Sequence, residues 1–142
     1  MARKTAVLQG LRARIQSLER FERIQGRAGA VLPFQVPDVD ACWPDGFPVA
    51  ALHEVSGAAT AAGFAAATAF AAAVAGRLAR RVLWCTTGHE LYGPGLAGLG
   101  LPPARLIVAS GNNEAEMLAV MEEGLRHASL ACVVGECAKL DL

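Results

Sequence analysis

Between Glu54 and Arg77 the chain carries no charge, and residues 50–64 read Ala-Ala-Leu-His-Glu-Val-Ser-Gly-Ala-Ala-Thr-Ala-Ala-Gly-Phe. A short apolar run reaches Gly57, and an alanine-rich segment begins a few residues later. This is the strand–turn–helix layout of a phosphate-binding loop, whose backbone N–H groups converge on an anion at a helix N-terminus. The full pattern, G-x-x-x-x-G-K-[ST], adds a Lys for the outer phosphates and a hydroxyl for magnesium. Counted from Gly57, the second Gly position holds Ala62, the Lys position Gly63 and the hydroxyl position Phe64. One inserted residue restores Gly63 as the second Gly, but Phe64 then replaces Lys and Ala65 the hydroxyl. In either register the loop is degenerate, without its cation or its metal ligand. The uncharged stretch is long enough to span a bilayer. Its only bulky groups after the loop are Phe64, Phe70 and Val74, so a close-packed soluble helix is expected instead, with no membrane partner.

A chain of 142 residues, 54% apolar and 18% charged, fits one globular domain. Its zero net charge excludes a surface basic throughout, so nucleic-acid contact would be local. The first 30 residues hold Arg3, Lys4, Arg12, Arg14, Arg20, Arg23 and Arg27 against Glu19 and Glu22. Cys42, Cys85, Cys132 and Cys137 form no C-x-x-C pair and have no His at ligand spacing, so no metal site is expected. Arg12 and Arg14 interrupt any signal-peptide core, making a cytoplasmic location the expectation.

Residues 1–28 form the first expected segment. An amphipathic helix over residues 5–27 carries Leu8, Leu11, Ile15 and Leu18 at spacings of three and four, widened by Val7, Phe21 and Ile24. It suits packing on its own domain or docking on a partner. Arg12, Arg14, Arg20 and Arg23 on the opposite side are candidate DNA contacts, weak ones because no aromatic residues are interleaved. Residues 29–49 read as a Pro-rich linker with turns, pinned by Trp43 and Phe47, and Asp45-Gly46 signals a tight turn. Residues 50–142 then alternate. A strand at 50–55 precedes a helix over 60–80, whose last turn holds Arg77 and Arg80 with Arg81 beside them, cations that suit a helix C-terminus. Strands follow at 82–86, 105–109 and 130–134. A poor short helix is expected at 91–99, and a helix capped by Asn112 or Asn113 runs to about 127, with Met117, Leu118, Met121 and Leu125 inward. Such alternation predicts an α/β fold with a parallel sheet and crossover helices.

The order of these pieces resembles the first half of the RecA-type ATPase core. Leu32-Pro33-Phe34, the turn from Trp43 to Pro48 and Leu52-His53-Glu54-Val55 are similar to its opening. They resemble still more closely the ImuA family, RecA-like accessory proteins of bacterial inducible mutagenesis related to the cell-division inhibitor SulA. Leu83-Trp84, Leu91-Tyr92-Gly93-Pro94-Gly95-Leu96, Glu114-Ala115-Glu116, Met121-Glu122-Glu123 and Val133-Val134-Gly135-Glu136 continue the likeness. The resemblance implies a RecA-like (phosphate-loop-type) core, truncated relative to the family. It implies work through protein contacts with ImuB, an inactive Y-family polymerase relative, and with RecA and an error-prone polymerase subunit, in SOS-induced translesion synthesis near the nucleoid. It also implies self-association through Leu8, Leu11, Ile15, Leu18 and Phe21.

Departures from the RecA pattern bear on mechanism. The Asp that orients magnesium in RecA-type ATPases is replaced by Gly135, with Glu136 one residue later and expected on the other side of the strand. The water-polarising carboxylate expected after Cys85 falls near Thr86, Thr87 or Gly88, while His89-Glu90 lies out of register. Phosphoryl transfer needs Lys, metal and water-orienting group together. The expectation is therefore a non-enzyme with no cofactor and at most weak ATP binding. A weak ATPase and a SulA-like division inhibitor are the alternatives. His53 and Glu54, as strand neighbours, would face opposite sides and share no substrate, which leaves His53 a structural role.

Overall fold

A computed structural model describes residues 31–43, 46–88 and 91–137, which fall into two compact units divided between His53 and Glu54. The stripe of Leu8, Leu11, Ile15, Leu18 and Phe21, the arginines at 12, 14, 20 and 23, and His89-Glu90 lie outside the described residues.

In the first unit, strand β1 (Val31–Leu32) pairs antiparallel with β2 (Phe47–Pro48), and a single helical turn, α1 (Pro37–Asp40), lies between them. One of the turns expected in this Pro-rich segment is helical. Pro37 presets the backbone at the first helical position, and Asp40 turns its Oδ1 back to accept the Phe34 N–H at 2.6 Å. Gly46 N–H donates to Trp43 O at 2.8 Å, which closes the turn signalled by the sequence. Three rings hold this unit. Phe34, Trp43 and Phe47 lie 5.3–5.7 Å apart between centroids, and Phe47 is buried beneath the other two.

In the second unit, helix α2 (Ala61–Gly76) leads to β3 (Arg81–Thr87), then α3 (Gly93–Ala97), a 3₁₀ turn (Pro103–Arg105), β4 (Leu106–Gly111), α4 (Glu114–Leu125) and β5 (Leu130–Gly135). The three strands form a parallel sheet in the order β4-β3-β5, which is the expected α/β class. Strand β3 alternates between two cores, as a period of two requires. Val82 and Trp84 face one layer with Ala72, Ala75, Leu96 and Leu101, while Leu83 and Cys85 face Met117 of α4 on the other. The alanines of α2 let it lie close to its neighbours, and a Cβ on Gly76 would stand 2.6 Å from the Gly100 carbonyl carbon. Trp84 is fully buried with its Nε1–H unpartnered, a desolvation cost of about 1–3 kcal/mol set against a large apolar gain.

Helix α4 is started by a reciprocal cap. Asn113 Oδ1 accepts the Glu116 N–H at 2.9 Å, and Glu116 Oε2 accepts the Asn112 N–H at 3.0 Å. Those bonds to Asn112 hold the Glu116 carboxyl below the ordinary carboxylate range. Its inner face differs from the expected one. Met117 is buried and Met121 packs beside it, but Leu118 is 46% and Leu125 72% exposed. The sheet side is set by Met117, Met121 and Gly124, because Gly124 presents no side chain where a Cβ would strike Leu83.

Two further boundaries differ. Helix α2 stops at Gly76, not near Arg80. Arg105 donates from Nη2 to Gly76 O (2.6 Å) and Gly100 O (2.7 Å), and from Nη1 to Leu78 O, so the helix-end carbonyls are taken from outside. Residues 51–57 form no strand, and Leu52 is 98% exposed. Ala51, Glu54 and Gly57 have poor strand preference, and no described strand pairs with the run. Among the described residues no helix is long and apolar enough to cross a membrane.

Arg105→Met leaves three carbonyls without their cationic donor. It is expected to cost about 3 kcal/mol, read from the urea midpoint at unchanged m-value. A cost under about 0.5 kcal/mol would mean that the clamp is incidental.

Candidate functional site

The loop that the sequence singled out closes on itself. A Cβ on Gly57 would run into the Gly63 backbone carbonyl, and one on Gly63 into the carbonyl of Ala58. The pair in contact is therefore Gly57 and Gly63, which is the register with one inserted residue. Phe64, 47% exposed, then stands where the Lys would be, and Ala62 is exposed one position ahead of Gly63. Thr60 is the N-cap of α2, and its Oγ1 accepts the Gly63 N–H at 3.1 Å. Thr60 N–H donates to Ala58 O and Phe64 N–H to Thr60 O. The Thr60 and Gly63 N–H groups, two that an anion would draw on, are thus spent within the chain, and the Phe64 bond is the first of the helix ladder. The loop keeps a tight bend, and its own threonine fills part of the helix N-terminus.

At the carboxyl ends of the strands, where open α/β sheets place their ligands, the side chains are mainly hydroxyls. Thr86 is fully buried, with Oγ1 3.3 Å from Ser110 Oγ. The last residue of β5, Gly135, faces α4, since a Cβ there would strike Met121. Glu136 extends the ladder by one bond, N–H to Cys85 O at 3.0 Å, and turns to the opposite side, as the alternation predicts. That side is the one occupied by α2. Thr68 Oγ1 donates to Glu136 Oε1 at 2.8 Å. Thr68 lies eight residues into the helix from Thr60, roughly 12 Å at the usual rise. The carboxylate is therefore anchored well down the helix, away from the loop mouth.

The remaining candidates have structural partners. His53 stacks on Phe47 at 4.0 Å between centroids, and its Nε2 donates to Pro48 O at 2.5 Å. The expected strand that would set His53 and Glu54 on opposite faces is absent. The described cysteines are free thiols. Burial raises Cys85, Cys137 and, most of all, Cys132, whose pKa is pushed up to about 11. A raised pKa disfavours the thiolate, the nucleophilic form of a cysteine. Beside α4 an open apolar groove of about 400 Å³ runs along Leu83, Ile107, Val120, Gly124 and Leu130, with Glu123 at its rim.

Thr60 was open to detection, as a hydroxyl residue just ahead of an alanine-rich helix. The Thr68–Glu136 contact was not, because 68 residues separate the pair and neither has a local signature.

The chain is 37% identical over 118 residues to the protein named Protein ImuA of Caulobacter vibrioides, in strain NA1000 and in strain ATCC 19089 alike. The match covers 79% of this chain, and the chain spans about half the length of these relatives, 48%. No family model matches it, and no solved structure does.

Gly63→Ala forces a Cβ into the Ala58 carbonyl, so a loss of about 2 kcal/mol or more is expected in chemical denaturation. Ala62→Gly next to it should cost only about 1 kcal/mol, the helix-propensity difference. Equal costs would refute the loop closure. For Cys132, the folded pKa of about 11 lies above the ordinary thiol value of 9.0. The stability it contributes is full below pH 9.0 and is lost as pH rises through about 11. At pH 8, iodoacetamide is expected to alkylate Cys132 far more slowly in the folded protein than in urea, and comparable rates would contradict its burial.

Proposed function

Because this chain belongs to the ImuA family, we propose that it is a non-catalytic, RecA-like accessory of damage-inducible mutagenesis, acting through protein contacts rather than nucleotide turnover. One observation carries the non-catalytic part. Gly57 and Gly63 lie against each other, and in the register those two glycines define, Phe64 and Ala65 take the positions of the ammonium and the hydroxyl that a nucleotide needs. A phenyl ring cannot neutralise a developing phosphate charge, and a methyl group cannot hold magnesium. Glu136, the nearest carboxylate to the missing second motif, is engaged by Thr68 away from the loop. The parallel β4-β3-β5 sheet with helices on both sides supports the RecA-like reading.

The partners follow from the family: an ImuB-type polymerase relative first, then RecA and an error-prone polymerase subunit. The groove beside α4 and the half-exposed Ile107 and Val108 of the edge strand β4 supply apolar surface for such contacts. A homo-oligomer through the N-terminal stripe is part of the same proposal.

Two measurements test it. With magnesium and ATP, phosphate release should not exceed that of a Gly57→Pro variant, and turnover above that control would overturn the non-catalytic reading. Tagged protein from DNA-damaged cells should recover an ImuB-type polymerase relative. Recovery of a cell-division protein in its place would favour SulA-like inhibition.

A further inference from the structure

Arg77, Arg80 and Arg81 stand exposed within five residues, where the chain leaves α2 and starts β3. The ordinary role of cations there is to neutralise the helix C-terminus. That role is already filled. Arg105 reaches in from the 3₁₀ turn and takes the carbonyls of Gly76 and Leu78. Arg80 gives one N–H to Ala128 O at 2.5 Å, a neutral acceptor that leaves its charge uncompensated. No described carboxylate pairs with any of the three. The described ion pairs are those of Arg126 and His127 with Glu122 and Glu123. Residues 55–113 hold four arginines and a single acid, Glu90.

The surroundings narrow the choice of partner. Arg80 bonds Ala128 and Arg81 pairs with Leu130, so the turn borders the groove end at His127, Ser129 and Leu130 and adds positive charge there rather than apolar surface. What the turn offers is a set of guanidinium forks, a geometry matched to phosphate oxygens. We propose that Arg77, Arg80 and Arg81 form a sequence-independent contact for the phosphate backbone of nucleic acid, separate from the arginines at 12, 14, 20 and 23.

The test is fluorescence anisotropy of the full chain with a fluorescein-labelled, mixed-sequence single-stranded oligonucleotide across a salt series. The R77Q/R81Q variant keeps the Arg80–Ala128 bond, so its melting temperature should match the parent's. Its affinity at low salt should fall about tenfold, and the slope of log affinity against log salt should flatten by roughly 1.5 for two lost phosphate contacts. R77K/R81K, which keeps the charges, should retain most of the binding. Unchanged affinity in a folded R77Q/R81Q protein would overturn the assignment. So would absence of binding by the parent at low salt, or poly-glutamate competing as well as the unlabelled oligonucleotide. Complete loss of binding in R12Q/R14Q/R20Q/R23Q would overturn the claim that the patch acts separately.

Discussion

Among the described elements, strand β3 is the one covered on both faces and flanked on both edges, and the second unit is built outward from it. Val82, Trp84 and Cys85 are fully buried, with Leu83 nearly so. A parallel neighbour on each side requires the chain to travel out to β4 and then back across to β5. Helices on both faces satisfy that path, and their small residues set how closely they approach. Burying the apolar run from Val82 to Cys85 in this way outweighs the cost of an indole N–H without an acceptor.

How much of this was legible in the sequence depended on range. The strand at 82–86 and its two-faced burial follow from a continuous apolar run, and the start of α4 follows from Asn113 with Glu116 three residues on. The end of α2 was not legible, since the clamp that stops it comes from Arg105, 29 residues beyond Gly76. The inner face of α4 was misjudged because Leu118 and Leu125 are apolar, while the residue seated against Leu83 is Gly124. Hydropathy cannot reward a missing side chain. The strand expected at 50–55 failed for a related reason, as strand pairing is a property of two segments and only one was in view.

The candidate site was legible as a bend, and its register was not. Sequence left two ways to align the loop, and the structure brings together Gly57 and Gly63, the two glycines of one of them. The glycines and the capping threonine alone account for the turn, so nothing about its shape requires a ligand. Glu136 illustrates the same point from the other side of the site. Its opposite facing to Gly135 was predictable from alternation, but its bond to Thr68 was not.

The two tryptophans fall one in each unit, with Trp84 sealed in the sheet core and Trp43 40% exposed beside Phe34 and Phe47. The intrinsic emission of the chain is therefore a sum of two spectrally separable dyes. Iodide quenches the redder one, while the bluer one answers only when the sheet opens. The molecule carries its own two-channel optical record of which half lets go first.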